Sequence, residues 1–135
     1  MQIETLYDIY KQYPLISTDT RNIKENSIFF ALKGANFNGN AFASQALEQG
    51  AAYVVVDEVK YFQGEQYILV EDVLKALQDL ALCHRKQLTI PVVGITGTNG
   101  KTTSKELVYS VLSQQFRTYA TQGNLNNHIG VPLTL

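Results

Sequence analysis

Residues 97–103 read Gly-Thr-Asn-Gly-Lys-Thr-Thr, and they restrict the chain path more tightly than any other stretch. An apolar run, Ile90-Pro91-Val92-Val93-Gly94-Ile95, leads in, and a helical pattern from Thr102 to Gln115 leads out. Strand, glycine loop, then Lys-Thr at a helix start is the order of a phosphate-binding loop. Each residue type has a physical reason. Glycines let the backbone turn tightly and bring N–H groups onto phosphate oxygens. The helix start adds unpaired N–H groups and the positive end of a dipole. Lys101 supplies a point charge for the β- and γ-phosphates, and the Thr102 hydroxyl is placed to ligate Mg²⁺. The strict pattern asks for glycine five residues before Gly100. That position is Ile95, so the loop is a variant running from Thr96 to Thr102. The candidates for nucleoside triphosphate binding are Gly97, Thr98, Asn99, Gly100, Lys101, Thr102 and Thr103.

The chain has 135 residues, enough for one domain or a small domain plus part of another. Hydrophobic residues make up 45%, so a packed core is feasible. The net charge of −1 gives no electrostatic argument for nucleic acid or an anionic membrane. Cys83 is the single cysteine, so no intrachain disulfide can form, and a reducing compartment is natural. It sits in an apolar helical pattern and reads as a buried, inert thiol. No signal peptide precedes the first helix, and no apolar stretch is long enough to span a membrane. The expected location is the cytoplasm.

Along the chain, Ile3 to Tyr13 reads as a short helix ended by Pro14. Leu15 to Arg21 is extended and polar. Ser27 to Leu32 is a buried strand and Gly34 to Asn40 a loop. Ala41 to Gln49 is a helix closed by Gly50. Ala52 to Val56 and Tyr67 to Val70 are strands, the first apolar enough to be buried on both faces. Asp72 to Lys86 carries a helical apolar stripe through Val73, Leu77 and Leu80. His84, near its end, reads as a helix-end charge partner. The run before the glycine loop and Thr118 to Ala120 are expected strands, and Gly123 to Gly130 is an asparagine-rich loop. This order predicts an α/β fold. A small α/β domain over 1–87 is followed, over 88–135, by the start of a phosphate-loop domain with a parallel sheet. One βα unit cannot cover a parallel sheet on both faces, so the chain is expected to be a piece of a longer protein.

Three stretches resemble one family. Residues 96–103 resemble the ATP loop of the Mur ligases, which build the peptide stem of bacterial cell-wall precursors. Ser17-Thr18-Asp19-Thr20-Arg21, then Ser27 to Gly34 and Asn38-Gly39, resemble the N-terminal UDP-binding domain of that family. Gly123 to Thr134 is similar to a segment of the branch that adds D-alanyl-D-alanine; the branch that adds the third stem residue usually has Thr-Thr where Asn126-Asn127 stand here. The resemblance implies three domains in the whole enzyme, of which this chain would hold the first and the opening of the second. It implies ATP and Mg²⁺ as cofactors. It implies UDP-N-acetylmuramoyl-tripeptide, D-alanyl-D-alanine and ATP as partners, with no nucleic acid, no membrane insertion and a monomeric state.

The resemblance also assigns residues. Lys101 becomes the catalytic residue, neutralising charge on the transferring phosphoryl group, and Thr102 the metal ligand. Thr18 and Thr20 match UDP-contacting positions. Ala35, Asn36 and Phe37 align with a second uridine-contact segment, although their residue types differ from the family's. Asn124, Asn126 and Asn127 match a loop near the muramoyl-peptide, where amide side chains suit sugar hydroxyls and peptide groups. His128 is commonly acidic in relatives and receives no role. The 135-residue chain by itself is expected to be inactive. Two alternatives stay open: the ligase that adds the third stem residue, and a stand-alone UDP-sugar-binding module.

Overall fold

The computed structural model describes residues 2–123, 125 and 127–135. Helix α1 spans Ile3–Gln12 and presents Leu6 to the core. Strand β1, Leu15–Ser17, follows directly, because Pro14 cannot continue a helix. Strand β2 is Ser27–Phe30, with all four residues buried. A two-residue pair, β3 (Lys33–Gly34) and β4 (Phe37–Asn38), forms a small antiparallel hairpin. A 3-10 turn over Gly39–Phe42 leads into helix α2, Ala43–Glu48. Strands β5 (Tyr53–Val56) and β6 (Tyr67–Leu69) precede helix α3, Val73–Gln87. Helix α4 spans Lys101–Leu112.

β1, β2, β5 and β6 form a parallel sheet in that spatial order. A strand buried on both faces needs apolar residues at every position, and β2 and β5 show the reason. Ile28, Phe30, Val55 and Ile68 point to one face, where Leu6 of α1 and Val73, Leu77 and Leu80 of α3 cover them. Phe29, Ala31, Val54 and Val56 point to the other, against Ala43 and Ala46 of α2. Small alanines let that short helix lie close to the sheet. The expected α/β fold is present, and helices cover both faces of the parallel sheet.

Four expectations change. Residues 90–95 form no strand, and neither do 118–120. β-branched residues fit a pleated sheet, but a strand exists only where a neighbour completes its ladder. Among the described residues no such neighbour pairs with either run. Ile90 and Val93 are exposed, and α4 buries no residue. The first turn expected of α2 is instead the 3-10 turn, started by the Asn38 side chain accepting from the Asn40 N–H at 3.0 Å. Cys83 is half-buried rather than buried. Tyr7 Oη lies 3.2 Å from His84 Nδ1, which places that histidine between α1 and α3.

Phe30 is 0% exposed and central to the α1–α3 side of the core. Phe30→Ala should destabilise the chain by about 3–5 kcal/mol, whereas Val59→Ala, at a site 73% exposed, should shift it by less than about 0.5 kcal/mol. Urea unfolding of the two variants against the parent checks both values.

Candidate functional site

The loops that leave the carboxyl ends of the parallel strands gather at one edge of the sheet. Thr18 to Arg21 follows β1, the β3–β4 hairpin follows β2, and Asp57-Glu58 follows β5. Loops at this edge are the usual place for ligands in open α/β sheets. Thr18 and Thr20 are half-buried and flank Asp19. The Asp19 carboxylate accepts from the Arg21 N–H at 2.9 Å and from its guanidinium Nε at 2.9 Å, and Nη2 completes the pair. That clamp fixes the turn between the two threonines. The guanidinium and the backbone N–H hold the Asp19 carboxyl at about 2, below the usual carboxylate range. Ala35 and Asn36 form the exposed hairpin tip, and Phe37 stacks on Phe42 with ring centroids 5.2 Å apart.

Beneath the hairpin lies a polar network that the sequence reading missed. Asn40, 1% exposed, donates Nδ2 to Asp57 Oδ1 at 2.9 Å and accepts the Asp57 N–H at 2.9 Å. Asp57 also pairs with Lys33 Nζ at 2.8 Å and accepts the Val73 N–H at the start of α3 at 3.3 Å. Glu58 receives Asn38 Nδ2 at 2.9 Å and Lys60 Nζ at 2.9 Å, which hold its carboxyl down at about 2. One aspartate therefore ties the hairpin, the end of β5 and the start of α3 together. Its only sequence signal was position: the first charged residue after an apolar strand. Gly39 completes the fit, because a Cβ there would sit 2.6 Å from the Ala31 carbonyl carbon.

The glycine loop is built as its sequence requires. Gly97 and Gly100 have φ of 150° and 74°, values that side-chain-bearing residues rarely adopt. Gly100 is the N-cap of α4 and offers no side-chain cap. The first three amides of the helix, from Lys101 to Thr103, thus lack intrahelical acceptors and are available to an anion. Lys101 Nζ donates to the Gly97 carbonyl at 2.6 Å, so the ammonium sits within the curl of the loop. Thr98, Asn99, Thr102 and Thr103 are exposed around it. Among the described residues no hydrogen bond or ion pair joins this loop to the hairpin edge. Asn127 closes a turn: its Oδ1 accepts from Ile129 N at 3.1 Å and Gly130 N at 2.7 Å. Asn124 and Asn126 lie outside the described residues.

Two family profiles divide the chain: that of the Mur ligase family, catalytic domain, matches residues 12–93, and that of the Mur ligase middle domain matches 95–135. The chain belongs to the Mur ligase family. Its relatives include the UDP-N-acetylmuramoyl-tripeptide–D-alanyl-D-alanine ligases of Bacillus subtilis (45% identical over 122 residues) and Synechocystis (48% over 122). In both, the match covers 89% of this chain and 27% of the relative, so the chain spans about a quarter of their length. Among solved Mur ligases, the MurF ligase of Thermotoga maritima in complex with ADP superposes with a TM-score of 0.78 at 32% identity, covering 88% of this chain and 28% of that one. MurF of Acinetobacter baumannii gives 0.80 at 34%, covering 91% and 28%. No helix in the described residues of this Mur ligase chain is long and apolar enough to cross a membrane.

Two outcomes follow from this edge. Asp57→Ala removes the acceptor of the Val73 N–H at the start of α3 and leaves Lys33 and the buried Asn40 short of a partner. It should cost about 1–3 kcal/mol in urea unfolding. The Asp19 carboxyl should titrate near 2 by NMR. Because its folded value is depressed, its contribution is complete above the ordinary carboxylate value near 4 and fades as pH falls through about 2. In Arg21→Ala the midpoint should return toward that ordinary value.

Proposed function

We propose that residues 1–135 form the UDP-substrate anchor and the ATP loop of a ligase that joins D-alanyl-D-alanine to UDP-N-acetylmuramoyl-tripeptide in peptidoglycan precursor synthesis. The observation that carries this reading is the agreement of several relatives under that one name across most of the chain. Two features lend it physical support: a loop edge suited to a nucleotide-linked substrate, and a separate glycine loop suited to a triphosphate. The proposed division is 1–87 for the substrate domain and 88–135 for the beginning of the ATPase domain. The proposed setting is the cytoplasm, with the ligase acting as a monomer.

In this reading Thr18, Thr20 and the Ala35-to-Phe37 tip receive the UDP group. Asn124, Asn126 and the Asn127 amide nitrogen face the muramoyl-peptide. ATP lies on the loop from Gly97 to Thr103. Its γ-phosphoryl group passes to the terminal carboxylate of the tripeptide, ADP leaves, and the amine of D-alanyl-D-alanine then displaces phosphate from the acyl phosphate. Phosphoryl transfer needs positioning and charge neutralisation above all. Lys101 and the free amides of α4 supply both, once the ammonium turns from the Gly97 carbonyl to phosphate oxygens. Mg²⁺, where bound, would neutralise phosphate charge beside the Thr102 hydroxyl. Among the described residues no cluster of three His, Cys, Asp or Glu side chains stands ready to hold a metal. A hydroxyl plus phosphate oxygens suits Mg²⁺, which keeps few protein ligands. Residues 1–135 alone should form no amide, because α4 buries none of its residues in a core that would hold the loop rigidly in place.

In the full-length protein, Lys101→Ala should lower turnover by about 10²-fold or more while UDP-tripeptide affinity stays within about twofold. Calorimetric titration with UDP-tripeptide, UDP and ATP, beside a ligation assay, checks this. Loss of UDP-tripeptide binding together with turnover would contradict the separation of the two sites.

A further inference from the structure

The asparagine-rich loop is anchored at both ends, and neither anchor was part of the site as read from the sequence. At its start, Lys105 of α4 donates Nζ to the carbonyls of Thr121 at 2.6 Å and Gly123 at 3.0 Å, and pairs with Glu106 at 3.0 Å. The three contacts use all three donors of the ammonium. The side chain is only 14% exposed, although α4 is otherwise a surface helix. At the far end, Gln78 of α3 donates Nε2 to the His128 carbonyl at 3.0 Å. Ile129 and Leu133 pack against the core beside α3. Leu125 lies close against Gly130, where a Cβ would meet Leu125 Cβ at 2.7 Å.

Lys105 lies one helical turn after Lys101, on the helix whose first amides form the ATP loop. It reaches from that helix to the chain just before Asn124. We infer that Lys105 is a positioning residue that sets the asparagine loop, and hence the acyl end of the UDP-linked substrate, in register with the ATP loop. The inference rests on the ligase reading above. Lys105 touches neither substrate nor phosphate in this role; it acts through the Thr121 and Gly123 carbonyls. Its loss should therefore weaken the UDP-peptide side of the reaction and spare the nucleotide side.

The test uses the full-length protein as wild type, Lys105→Met and Lys105→Arg. Lys105→Met should raise the KM for UDP-N-acetylmuramoyl-tripeptide about tenfold, the size of one lost charge-assisted hydrogen bond, with the KM for ATP within about twofold. Lys105→Arg keeps the charge but not the compact ammonium, and should give a smaller rise with the same selectivity. Hydrogen exchange should quicken at the Leu125 and Gly130 amides in Lys105→Met and stay unchanged in β5. Equal rises in both KM values, or no rise with unchanged loop exchange, overturn the inference. If Lys105→Met does not fold, Lys105→Arg decides by the same two criteria. If the wild type forms no amide with D-alanyl-D-alanine, the ligase reading fails. The exchange comparison still decides whether Lys105 orders the loop.

Discussion

A parallel sheet has no face to leave to water. β2 and β5 carry that constraint, and the surrounding elements are placed to meet it. Phe29 and Phe30 are neighbours in sequence, yet they enter opposite cores. One core needs two helices, and α1 and α3 supply them from before the first strand of the sheet and after its last. The other is served by α2, whose alanines allow a close approach. With the faces closed, the only part of the sheet left to the solvent is its edges, and the carboxyl edge carries the loops that can hold a ligand.

At that edge the charged groups do more than decorate the surface. Asp57 is 10% exposed and is satisfied by a lysine, an asparagine amide, its own backbone partner and a helix start. A buried carboxylate survives only with such company. Its position makes the hairpin conformation depend on the end of β5 and on α3. The glycine loop follows a different design. It relies on backbone conformation at Gly97 and Gly100, and its helix draws no stability from a core of its own.

What could be read from the sequence follows the same division. β2 and β5 were legible because burial on both faces writes itself as an unbroken apolar run. α3 was legible from its stripe alone; the cap at its start, where the Asp72 carboxylate accepts the Lys75 N–H at 2.7 Å, is a finding of the structure. The run from Ile90 to Ile95 has the same composition as a strand, but composition cannot say whether a partner strand lies beside it. Asn40 and Asp57 stand 17 residues apart and meet only because the fold brings the two loops to one edge. Lys105 looked like any lysine on a helical surface, and nothing local shows that two backbone carbonyls enclose it. The glycine loop was visible because its chemistry is local, whereas the threonines around Asp19 were singled out by the family resemblance alone.

The strand order has a consequence for how the molecule comes into being. Order in the sheet is order of synthesis: β1, β2, β5, β6. Each strand as it emerges finds its hydrogen-bonding neighbour already made, with no gap held open for a later arrival. Contacts of this kind span short stretches of sequence and carry a low loop-closure cost. The α2 side of the sheet can close as soon as β5 is in place. The other side cannot. Leu6 is made before every strand of the sheet, but α3, which packs beside α1, is the last element of the sheet unit. During translation the N-terminal helix must wait for the chain to reach Gln87 before its own core is complete.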